Sequence, residues 1–499
     1  MLLQHWHMFQ RILAMFTLYI AIAGLWFSAN AAADEIQRFP VQPTEQQYQE
    51  AVQQLEAIGF RPSREARTLF VSMPEVSDMH LAKIPNLAFS FGLTLAAAPV
   101  TDAGVKSLSS LDNLTTLHLN YTRFTGEQSC GFENLTSLLE LGLVGSPVTD
   151  QGLGEVAKLQ NLRLLDLQKT NVKGPGLEKL SALWRLTTLE LDLTDAMFPP
   201  LRAGGLLHTL PYVEGANGTT AHRDDDIQVL NLNGFYGLQI SAVSIPVFAT
   251  LPQLQTLTLI GSDISDDGLI ELSQYPELRT LNLEQTKVTD RGLKHLAAIK
   301  NLTELTLDQT AVTDAGLESL AAIQKLNSLS LNRTSVTDKG IRTLAQLSGL
   351  TKLHLASTSV TLEHVPELGR LTRLRTLVLN GSKVSDAGLH SLGSLSALSS
   401  LDLILCDVTD AGLKELSGLS NLETLYLNRT QITDDGLKEL SQLNRLTILN
   451  LSATSISDQG LKHLAMIKSL RKLILLGTSV SSEGVAELRE QFRKCDIIL

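Results

Sequence analysis

The sequence predicts an α/β solenoid, in which one short strand and one short helix repeat along the chain. A glycine recurs at intervals of 24 residues or multiples of 24 within each of two series, residues 104–176 and 268–484, and only His364 interrupts the later one. Each interval begins with alternating apolar and polar residues, the period of a strand, and continues with leucines three apart, the period of a helical or 3₁₀ stripe. The glycines are Gly104, Gly152, Gly176, Gly268, Gly292, Gly316, Gly340, Gly388, Gly412, Gly436, Gly460 and Gly484.

The full unit, L-x-L-x-x-T-x-V-T-D-x-G-L-x-x-L-x-x-L-x-x-L-x-x, resembles the leucine-rich repeat family. Leu302, Leu305 and Leu307 match the L-x-x-L-x-L core of that family, and Thr310 stands where the family usually has Asn or Cys. The T-D-x-G-L half resembles the cysteine-containing, F-box-associated subtype, as in exported bacterial repeat proteins. Over residues 69–499, the resemblance implies a horseshoe with parallel strands on its concave face and short helices on its convex face.

The hexapeptide VTDAGL, at residues 312–317 and again at 408–413, is expected to start a helix. Thr313 is the predicted N-cap, and Asp314 faces the positive end of the helix dipole. Val312 and Leu317 occupy the two positions of a hydrophobic staple. Gly316 is expected to be small because the next coil approaches closely there. Thr409, Asp410 and Gly412 have the same structural roles in the second copy.

Two polar columns accompany the glycines. A column of Thr or Ser follows each strand and is expected to bond backbone groups from coil to coil, with Cys406 as a structural member of it. A column of aspartates is expected to cap helices, and a ladder that binds calcium is the alternative, since stacked coils would place the carboxylates about 5 Å apart. The aspartates include Asp266, Asp290, Asp314, Asp338, Asp386, Asp410, Asp434 and Asp458.

The repeat register divides the chain into five segments. Arg11 precedes an apolar run at 12–27 and then small residues before Asp34, which favours a cleaved signal peptide over a retained anchor. Thr44 and Gln47 form a capping-box pattern ahead of a predicted amphipathic helix, and the strand leucines are counted from Leu69. The segments are 1–33, signal peptide or membrane anchor; 34–68, N-terminal helical cap; 69–193, leucine-rich repeats; 194–226, irregular insertion or degenerate repeat; and 227–499, leucine-rich repeats with a C-terminal strand cap.

Residues 194–226 break the phase, because 41 residues separate Leu189 from Leu230. This stretch is interpreted as a degenerate coil or, alternatively, as a binding insertion. It contains His222-Arg223-Asp224, but Val229 stands where a kinase catalytic loop has Asn. A metal site formed by His208, His222 and Asp224–Asp226 is a minor alternative to solvated loop residues.

Composition excludes several classes of function. The net charge is −11 and the sequence shows no cluster of Lys or Arg, which argues against nucleic acid and anionic membranes as partners. Cys130, Cys406 and Cys495 are far apart, so we expect no disulfide framework and no zinc site. No cofactor is predicted.

The exposed positions of the strands provide the candidate binding residues. An acidic patch is predicted before the phase break, and a more apolar area with one arginine is predicted in the late coils, where Tyr and Arg are typical of interface hot spots. Single apolar residues on a surface are also common without any function. The candidates are Asp166, Glu190 and Asp192 for the acidic patch, and Ile404, Tyr426, Arg429, Ile474 and Leu476 for the apolar area.

These features predict a non-catalytic, exported scaffold that binds a protein, peptide or glycan on its concave face. Export places it in the periplasm, on the cell surface or outside the cell, and a retained N-terminal segment would anchor it in a membrane. The alternative is an intracellular adaptor similar to the F-box substrate receptors of ubiquitin ligases. Against it, residues 34–68 are short for an F-box plus a linker. An enzyme that uses the insertion is a third class of function. No catalytic constellation is evident in the sequence to support it.

Overall fold

The computed structural model describes residues 43–65, 68–72, 76–232, 240–275, 277–491 and 494–499. The predicted signal peptide or anchor at 1–33 lies outside the described residues. The described part is a solenoid, in which most consecutive strands are parallel and pair in register, as Leu305 does with Leu329. The predicted α/β solenoid is confirmed.

The strands form two sheets within the described residues, one of seven strands and one of thirteen. In the first sheet they are β1 Arg61–Glu65, β2 Thr68–Ser72, β3 Phe91–Thr94, β4 Leu114–His118, β5 Glu140–Gly142, β6 Leu164–Asp166 and β7 Thr188–Glu190. In the second they are β8 Val213–Glu214, β9 Val229–Asn231, β10 Thr256–Thr258, β11 Thr280–Asn282, β12 Glu304–Thr306, β13 Ser328–Ser330, β14 Lys352–His354, β15 Thr376–Val378, β16 Ser400–Asp402, β17 Thr424–Tyr426, β18 Ile448–Asn450, β19 Lys472–Ile474 and β20 Asp496–Ile498.

Short helices follow most strands. The α-helices are α1 Glu45–Ala57, α2 Asp78–Leu81, α3 Asp102–Lys106, α4 Leu153–Val156, α5 Phe198–Ala203, α6 Ile245–Phe248, α7 Asp266–Leu272, α8 Asp290–Leu296, α9 Asp314–Leu320, α10 Asp338–Leu344, α11 Asp386–Leu389, α12 Asp410–Leu416, α13 Asp458–Leu464 and α14 Ser482–Gln491. Turns of 3₁₀ helix occupy Phe132–Asn134, Leu177–Ala182, Asp195–Met197, Leu207–Thr209, Ala216–Gly218, Asp224–Asp226, Ala242–Ser244, Pro366–Arg370, His390–Leu392 and Gly436–Gln442.

The core lies between the strands and the helices of each coil. In the coil of β12, Leu305 and Leu307 point inward from the strand, and Leu317 and Leu320 of α9 meet them from the other side. All four are buried, and burial of one leucine side chain stabilises the fold by about 1.5–3 kcal/mol. Thr306 alternates with the two strand leucines and is partly exposed. The period-two alternation thus separates core residues from surface residues.

The N-terminal end combines the predicted helix with an antiparallel strand pair that the sequence did not predict. Helix α1 carries a capping box, in which Gln47 N donates to Thr44 Oγ1 and Thr44 N donates to Gln47 Oε1. Strand β1 pairs antiparallel with β2. Val71 of β2 aligns with Leu93, so the choice of Leu69 as the first register leucine was wrong.

At residues 194–226 the sheet is interrupted while the helical side continues. Helix α5 lies in this stretch, and its Phe198 ring packs edge-to-face on Phe248 of α6 with centroids 4.9 Å apart. Strand β8 pairs antiparallel with β9, and β7 pairs only with β6 among the described strands. The stretch therefore has the geometry of a degenerate coil with a short hairpin in place of a parallel strand.

The coil that lacks the repeat glycine also lacks the α-helix. His364 has a positive φ of 54°, and a 3₁₀ turn at Pro366–Arg370 follows it. Across the described residues, no helix is both long enough and apolar enough to cross a membrane.

Candidate functional site

The repeated aspartate connects neighbouring coils. Thr313 Oγ1 accepts a hydrogen bond from Ala315 N at 3.3 Å, so it caps α9 as predicted. The Asp314 carboxylate, however, accepts from the next coil: Thr337 N donates to its Oδ1 at 2.8 Å and Thr337 Oγ1 donates to its Oδ2 at 2.6 Å. Asp314 thus fixes Thr337, the N-cap residue of α10, a role that the dipole argument had missed.

The same contact explains the glycine. A Cβ atom on Gly316 would lie 2.5 Å from Asp290 Oδ1 and 2.7 Å from Leu293 Cδ1. Both atoms belong to the preceding coil, so the expectation that the next coil approaches Gly316 was wrong in direction. Gly412 meets Asp386 in the same way. Asp and Gly therefore occur together because one coil's carboxylate lies against the next coil's glycine.

These contacts decide what the aspartate column does. Both oxygens of Asp290, Asp314 and Asp410 accept hydrogen bonds from N-H and O-H donors. Among the described residues, no three His, Cys, Asp or Glu side chains are grouped so that they could hold a metal ion. The geometry favours a hydrogen-bonding ladder over a calcium ladder.

The Thr column bonds mostly within its own coil. Thr310 Oγ1 donates to Leu307 O at 2.6 Å, and Thr334 Oγ1 donates to Leu331 O at the same distance. The predicted coil-to-coil bonds occur where the residue is Ser or Cys, as at Ser382, which reaches Leu355 O. Cys406 Sγ donates to Leu379 O at 3.2 Å. Burial raises the pKa of the Cys406 thiol to about 12, so the reactive thiolate is not populated at neutral pH.

The acidic patch of Asp166, Glu190 and Asp192 forms at the end of the first sheet. Asp166 of β6 lies directly beside Glu190 of β7, and Asp192 Oδ2 accepts from Lys169 N at 2.7 Å. Burial raises the pKa of the Asp166 carboxyl and of the Glu190 carboxyl, and the charge of Asp166 raises the pKa of Glu190 further. Both carboxylates are destabilised in their ionised form, which a cationic partner would relieve.

The late apolar residues do not form one continuous area. Tyr426 lies between Asp402 and Asn450 on the neighbouring strands, and Asn428 follows Ile404 one coil later in the same column. Polar side chains therefore interleave with the apolar residues of the late coils.

Part of this set does come together. Arg429, Ile474 and Leu476 border a depression of about 560 Å³ at the late end of the concave sheet. Ile498 adds to the apolar wall, since it aligns with Ile474 on the adjacent strand. Leu476 is 49% exposed. We call this feature the late depression.

Asn428 is one of the lining residues that the sequence did not single out. Its side-chain Oδ1 is buried and has no hydrogen-bond partner among the described residues. The only available signal was a comparison across coils, in which Asp308 and Asn332 recur as Ile404 and Asn428. That replacement removes an acceptor for the side-chain Nδ2, whereas Oδ1 lacks a donor because Ser452 N donates to Asn450 Oδ1 instead, which the sequence does not show.

The acids of the irregular stretch have structural partners. Asp224 is buried and accepts from His208 N at 2.9 Å, with His208 Nδ1 at 3.1 Å. Arg202 of α5 lies 3.4 Å from Asp224 and 3.0 Å from Asp225. This ion-pair network joins the segment that holds Asp224 and Asp225 to helix α5. It gives Asp224 of the His222-Arg223-Asp224 sequence a structural role, which explains that residue better than catalysis does.

One basic feature qualifies the prediction from charge. Arg373 and Arg375 line a shallow depression of about 350 Å³ together with Thr351, Thr372 and Ala397. Both arginines are exposed on the surface. The expectation that the chain has no cluster of Lys or Arg holds for long basic runs of sequence. It overlooked this pair of arginines.

Comparison with known proteins supports the repeat assignment. A family model described as Leucine Rich repeat matches residues 158–181, 396–417 and 418–441. No curated protein sequence matches the chain.

Several solved structures are similar in fold. An internalin of Listeria monocytogenes is 22% identical, with 83% of this chain and 98% of that chain covered and a TM-score of 0.37. A leucine-rich repeat protein of Leptospira interrogans is 18% identical, with 93% and 100% covered and a TM-score of 0.43. A chain of the mouse RP105/MD-1 complex is 15% identical, with 85% and 90% covered and a TM-score of 0.49.

The matched segments coincide with the 24-residue register, and that register forms one strand, one buried leucine layer and one convex helical turn per coil. The chain therefore contains leucine-rich repeats.

Proposed function

We propose that this protein is a non-catalytic, exported binding scaffold that holds a protein, peptide or glycan partner on its concave face. The late depression carries this proposal, because it places the exposed Leu476 and an apolar wall beside an arginine on a surface that is otherwise regular. Aromatic or aliphatic anchors beside an arginine have the composition of interface hot spots. The repeated Asp, Thr and Gly residues are occupied by scaffold contacts, which leaves the variable strand positions for recognition.

The acidic patch is a second proposed contact area on the same face. Asp166 and Glu190 lie side by side with raised pKa values, and Asp192 is exposed beyond them. Positive charge on a partner would stabilise their ionised forms. We assign a steering role to Asp192, the exposed member of the patch, since exposed charges affect association rates more than affinity.

Partner capture with matched variants tests the proposal. The intact protein is used as bait for envelope and extracellular material of its native cell, with a concave variant that combines Ile404→Ser, Tyr426→Ala and Leu476→Ser. A convex variant that combines Trp184→Ala and Met466→Ser removes apolar residues that are more exposed than those of the concave variant. We expect the concave variant alone to lose its partner. Equal capture by both variants and the unmodified protein would refute recognition through this face.

Export is tested separately by intact mass. The apolar run at 12–27 followed by small residues supports cleavage, so protein recovered outside the cytosol is expected to begin near residues 32–34. A full-length chain in the membrane fraction would indicate an anchored scaffold, and a full-length chain in the cytosol would overturn export.

A further inference from the structure

The repeat disperses a basic surface along the sequence. In the thirteen-stranded sheet, the four residues that precede each strand from β11 to β19 include eight Lys or Arg and two Glu, a balance of +6 in a chain of net charge −11. We call these nine segments the basic edge. They are 276–279, 300–303, 324–327, 348–351, 372–375, 396–399, 420–423, 444–447 and 468–471.

The fold brings these segments together at the rim where each helical turn leads into the sheet. The residue before each strand donates its N-H to the carbonyl of the equivalent residue one coil earlier, as Arg375 N does to Thr351 O at 2.8 Å. The same bond recurs without a gap from Arg279 to Arg471. With a strand spacing of about 4.8 Å, nine coils form an edge about 40 Å long. Charges that are 24 residues apart in sequence therefore lie on one continuous surface.

The cations of the basic edge are accessible to a ligand, since every one of them is exposed. At an ionic strength of 0.1 M, charges more than about 10 Å apart are largely screened from each other. A ligand at this rim therefore meets the local cations and not the negative charge of the whole chain. The cations are Arg279, Lys300, Lys325, Arg373, Arg375, Arg445, Lys468 and Arg471.

The centre of the basic edge has two guanidinium groups without acidic partners. Elsewhere in the column of Arg373, a cation bonds an amide of the preceding coil, as Arg445 Nη1 does to Asn421 Oδ1 at 2.7 Å. Arg373 has a glycine before it and an alanine after it in that column, and neither side chain offers an acceptor. Arg373 and Arg375 form no ion pair within the described part of the chain and border the depression of about 350 Å³. Such a pair fits a carboxylate or a sulfate.

The other residues of the basic edge favour a polyhydroxyl chain. Apart from the buried leucines, most of its uncharged residues are Ser, Thr, Asn or Gln, which donate and accept hydrogen bonds as sugar hydroxyls require. The nine segments contain no aromatic residue on which the bases of a single-stranded nucleic acid could stack. They also present no exposed large apolar side chain for a membrane surface among the described residues.

Charge density separates the remaining polyanions. Duplex DNA carries one charge per about 1.7 Å of its axis. The eight cations of the basic edge are spread over about 40 Å, which suits a polymer with more widely spaced acidic groups.

We propose that the basic edge binds an acidic polysaccharide that lies across the coils, with an acidic group on Arg373 and Arg375 and sugar hydroxyls on the Ser, Thr and Asn side chains between the cations. This surface precedes the strands and is separate from the late depression. The proposal adds a second ligand to the concave partner of the proposed function.

Calorimetric binding of the full chain to polygalacturonate, dextran sulfate and neutral dextran tests the proposal. We expect binding to a charged polymer but not to dextran, with an affinity that falls as salt rises. The charged polymer that binds more tightly identifies the acidic group as carboxylate or sulfate. A variant that combines Arg373→Gln and Arg375→Gln, the edge variant, should weaken binding by about tenfold, the strength of two exposed ion pairs. Absence of binding to both charged polymers would overturn the proposal.

The matched control combines Lys339→Gln and Lys414→Gln. Both lysines are exposed on the helical side, in α10 and α12, and the net charge changes by the same amount. We expect this variant to bind like the unmodified protein. Equal weakening by the two variants would show that net charge alone governs binding, and the basic edge would not be the site.

Lysine acetylation of the unmodified protein gives a readout that does not depend on the folding of a variant. Bound polymer should protect Lys300 and Lys325 of the basic edge and leave Lys294 of α8 and Lys339 reactive, because the latter two lie on the helical side. Mass spectrometry measures the modified fraction at each lysine. Unchanged reactivity of Lys300 and Lys325 in the presence of polymer would contradict the proposal.

Two further probes represent the competing classes of ligand: duplex DNA, and vesicles of phosphatidylserine and phosphatidylcholine in equal parts. Tighter binding of either probe than of both acidic polysaccharides, with a loss in the edge variant, would make the polysaccharide the wrong class. The concave variant should bind the polymer unchanged, and the edge variant should still capture the concave partner. Failure of one proposal is therefore distinguishable from failure of the other.

Discussion

At the scale of single residues, the aspartate of the repeat contributes through the coil that follows it. Asp266 Oδ1 accepts from Thr289 N at 2.8 Å and Asp266 Oδ2 accepts from Thr289 Oγ1 at 2.6 Å. Thr289 in turn caps α8. One carboxylate therefore satisfies a helix N-terminus in its neighbour, and the solenoid obtains much of its directionality from this chain of contacts.

A pair of adjacent aspartates separates this effect from the helix dipole. Asp266→Ala should destabilise the protein by about 1.5–3 kcal/mol, the usual range for hydrogen bonds to a charged group. Asp267 occupies the same first turn but is exposed, so Asp267→Ala should cost less than about 1 kcal/mol, the dipole contribution alone. Urea unfolding of both variants measures the difference. Equal losses would show that the dipole, and not the contact with Thr289, explains the column.

The acidic patch predicts a pH dependence of opposite sign to the usual one. Burial raises the folded-state pKa of Asp166 and Glu190 above the unfolded values. Their protonated forms are thus favoured by folding, and stability falls as pH rises through the folded pKa values. A variant that combines Asp166→Asn and Glu190→Gln should have a higher thermal midpoint than the unmodified protein at pH 7, and this advantage should vanish below a pH of about 4.

Glu178 provides the control for that measurement, because it is exposed on the 3₁₀ turn Leu177–Ala182, on the helical side of the coil and away from the patch. Glu178→Gln should change the midpoint little at either pH. An advantage of the patch variant that persists unchanged in acid would attribute the effect to packing and would contradict electrostatic destabilisation.

At the scale of elements, the sequence predicts what repeats and fails where one coil differs from another. The 24-residue period predicts the strands and helices, and the Thr44-Gln47 pattern predicts the cap of α1. The period cannot show that Asp314 accepts hydrogen bonds from Thr337 of the next coil. An aspartate that acts only on its own helix dipole would recur with the same spacing. It also cannot show that Asn428 Oδ1 lacks a donor, since that depends on which acceptor Ser452 N bonds. Strand β1 was missed because antiparallel pairing with β2 has no counterpart in the repeat.

Two glycines in helices make the steric argument testable. Gly316→Ala would place Cβ against Asp290, so we expect a loss of about 1–3 kcal/mol, typical of overpacking. Gly154 lies in α4, and a Cβ there would meet only Lys179 Cδ at 4.0 Å. Gly154→Ala should therefore stabilise the protein by up to about 1 kcal/mol, because alanine lowers the entropy of the unfolded chain. Denaturant midpoints decide; a loss at Gly154 as large as at Gly316 would make general helix effects responsible.

At the scale of the whole molecule, residues 194–226 are the place where two arrays of coils meet. One array contains the seven-stranded sheet and the other contains the thirteen-stranded sheet. The strand ladder is interrupted between β7 and β8, yet the apolar core continues through Phe198 and Phe248. In a solenoid, stability is close to a sum of coil terms and nearest-neighbour interface terms. An interface without strand pairing relies on the remaining contacts, so the helical side must couple the two sheets.

Asp195 is the aspartate that crosses this junction. Its Oδ1 accepts from Ser241 N at 2.9 Å and its Oδ2 accepts from Ser241 Oγ at 2.5 Å, across 46 residues of chain instead of the usual 23. Ser244 Oγ donates to the same carboxylate. Asp195→Ala should therefore weaken the interface between the arrays, and hydrogen exchange in increasing urea should show residues 76–193 and 240–491 losing protection at different concentrations.

The control for Asp195→Ala is an equivalent aspartate in a coil whose strand pairs with both neighbours. Asp314→Ala removes an equivalent pair of bonds to Thr337, but strand pairing between β12, β13 and β14 continues beside it. We expect this variant to lower stability without placing a boundary at residues 194–226. If both variants unfold with the same pattern of exchange, the packing of Phe198 on Phe248 is sufficient to couple the two sheets. The hydrogen bonds of Asp195 would then contribute stability without setting where the solenoid divides.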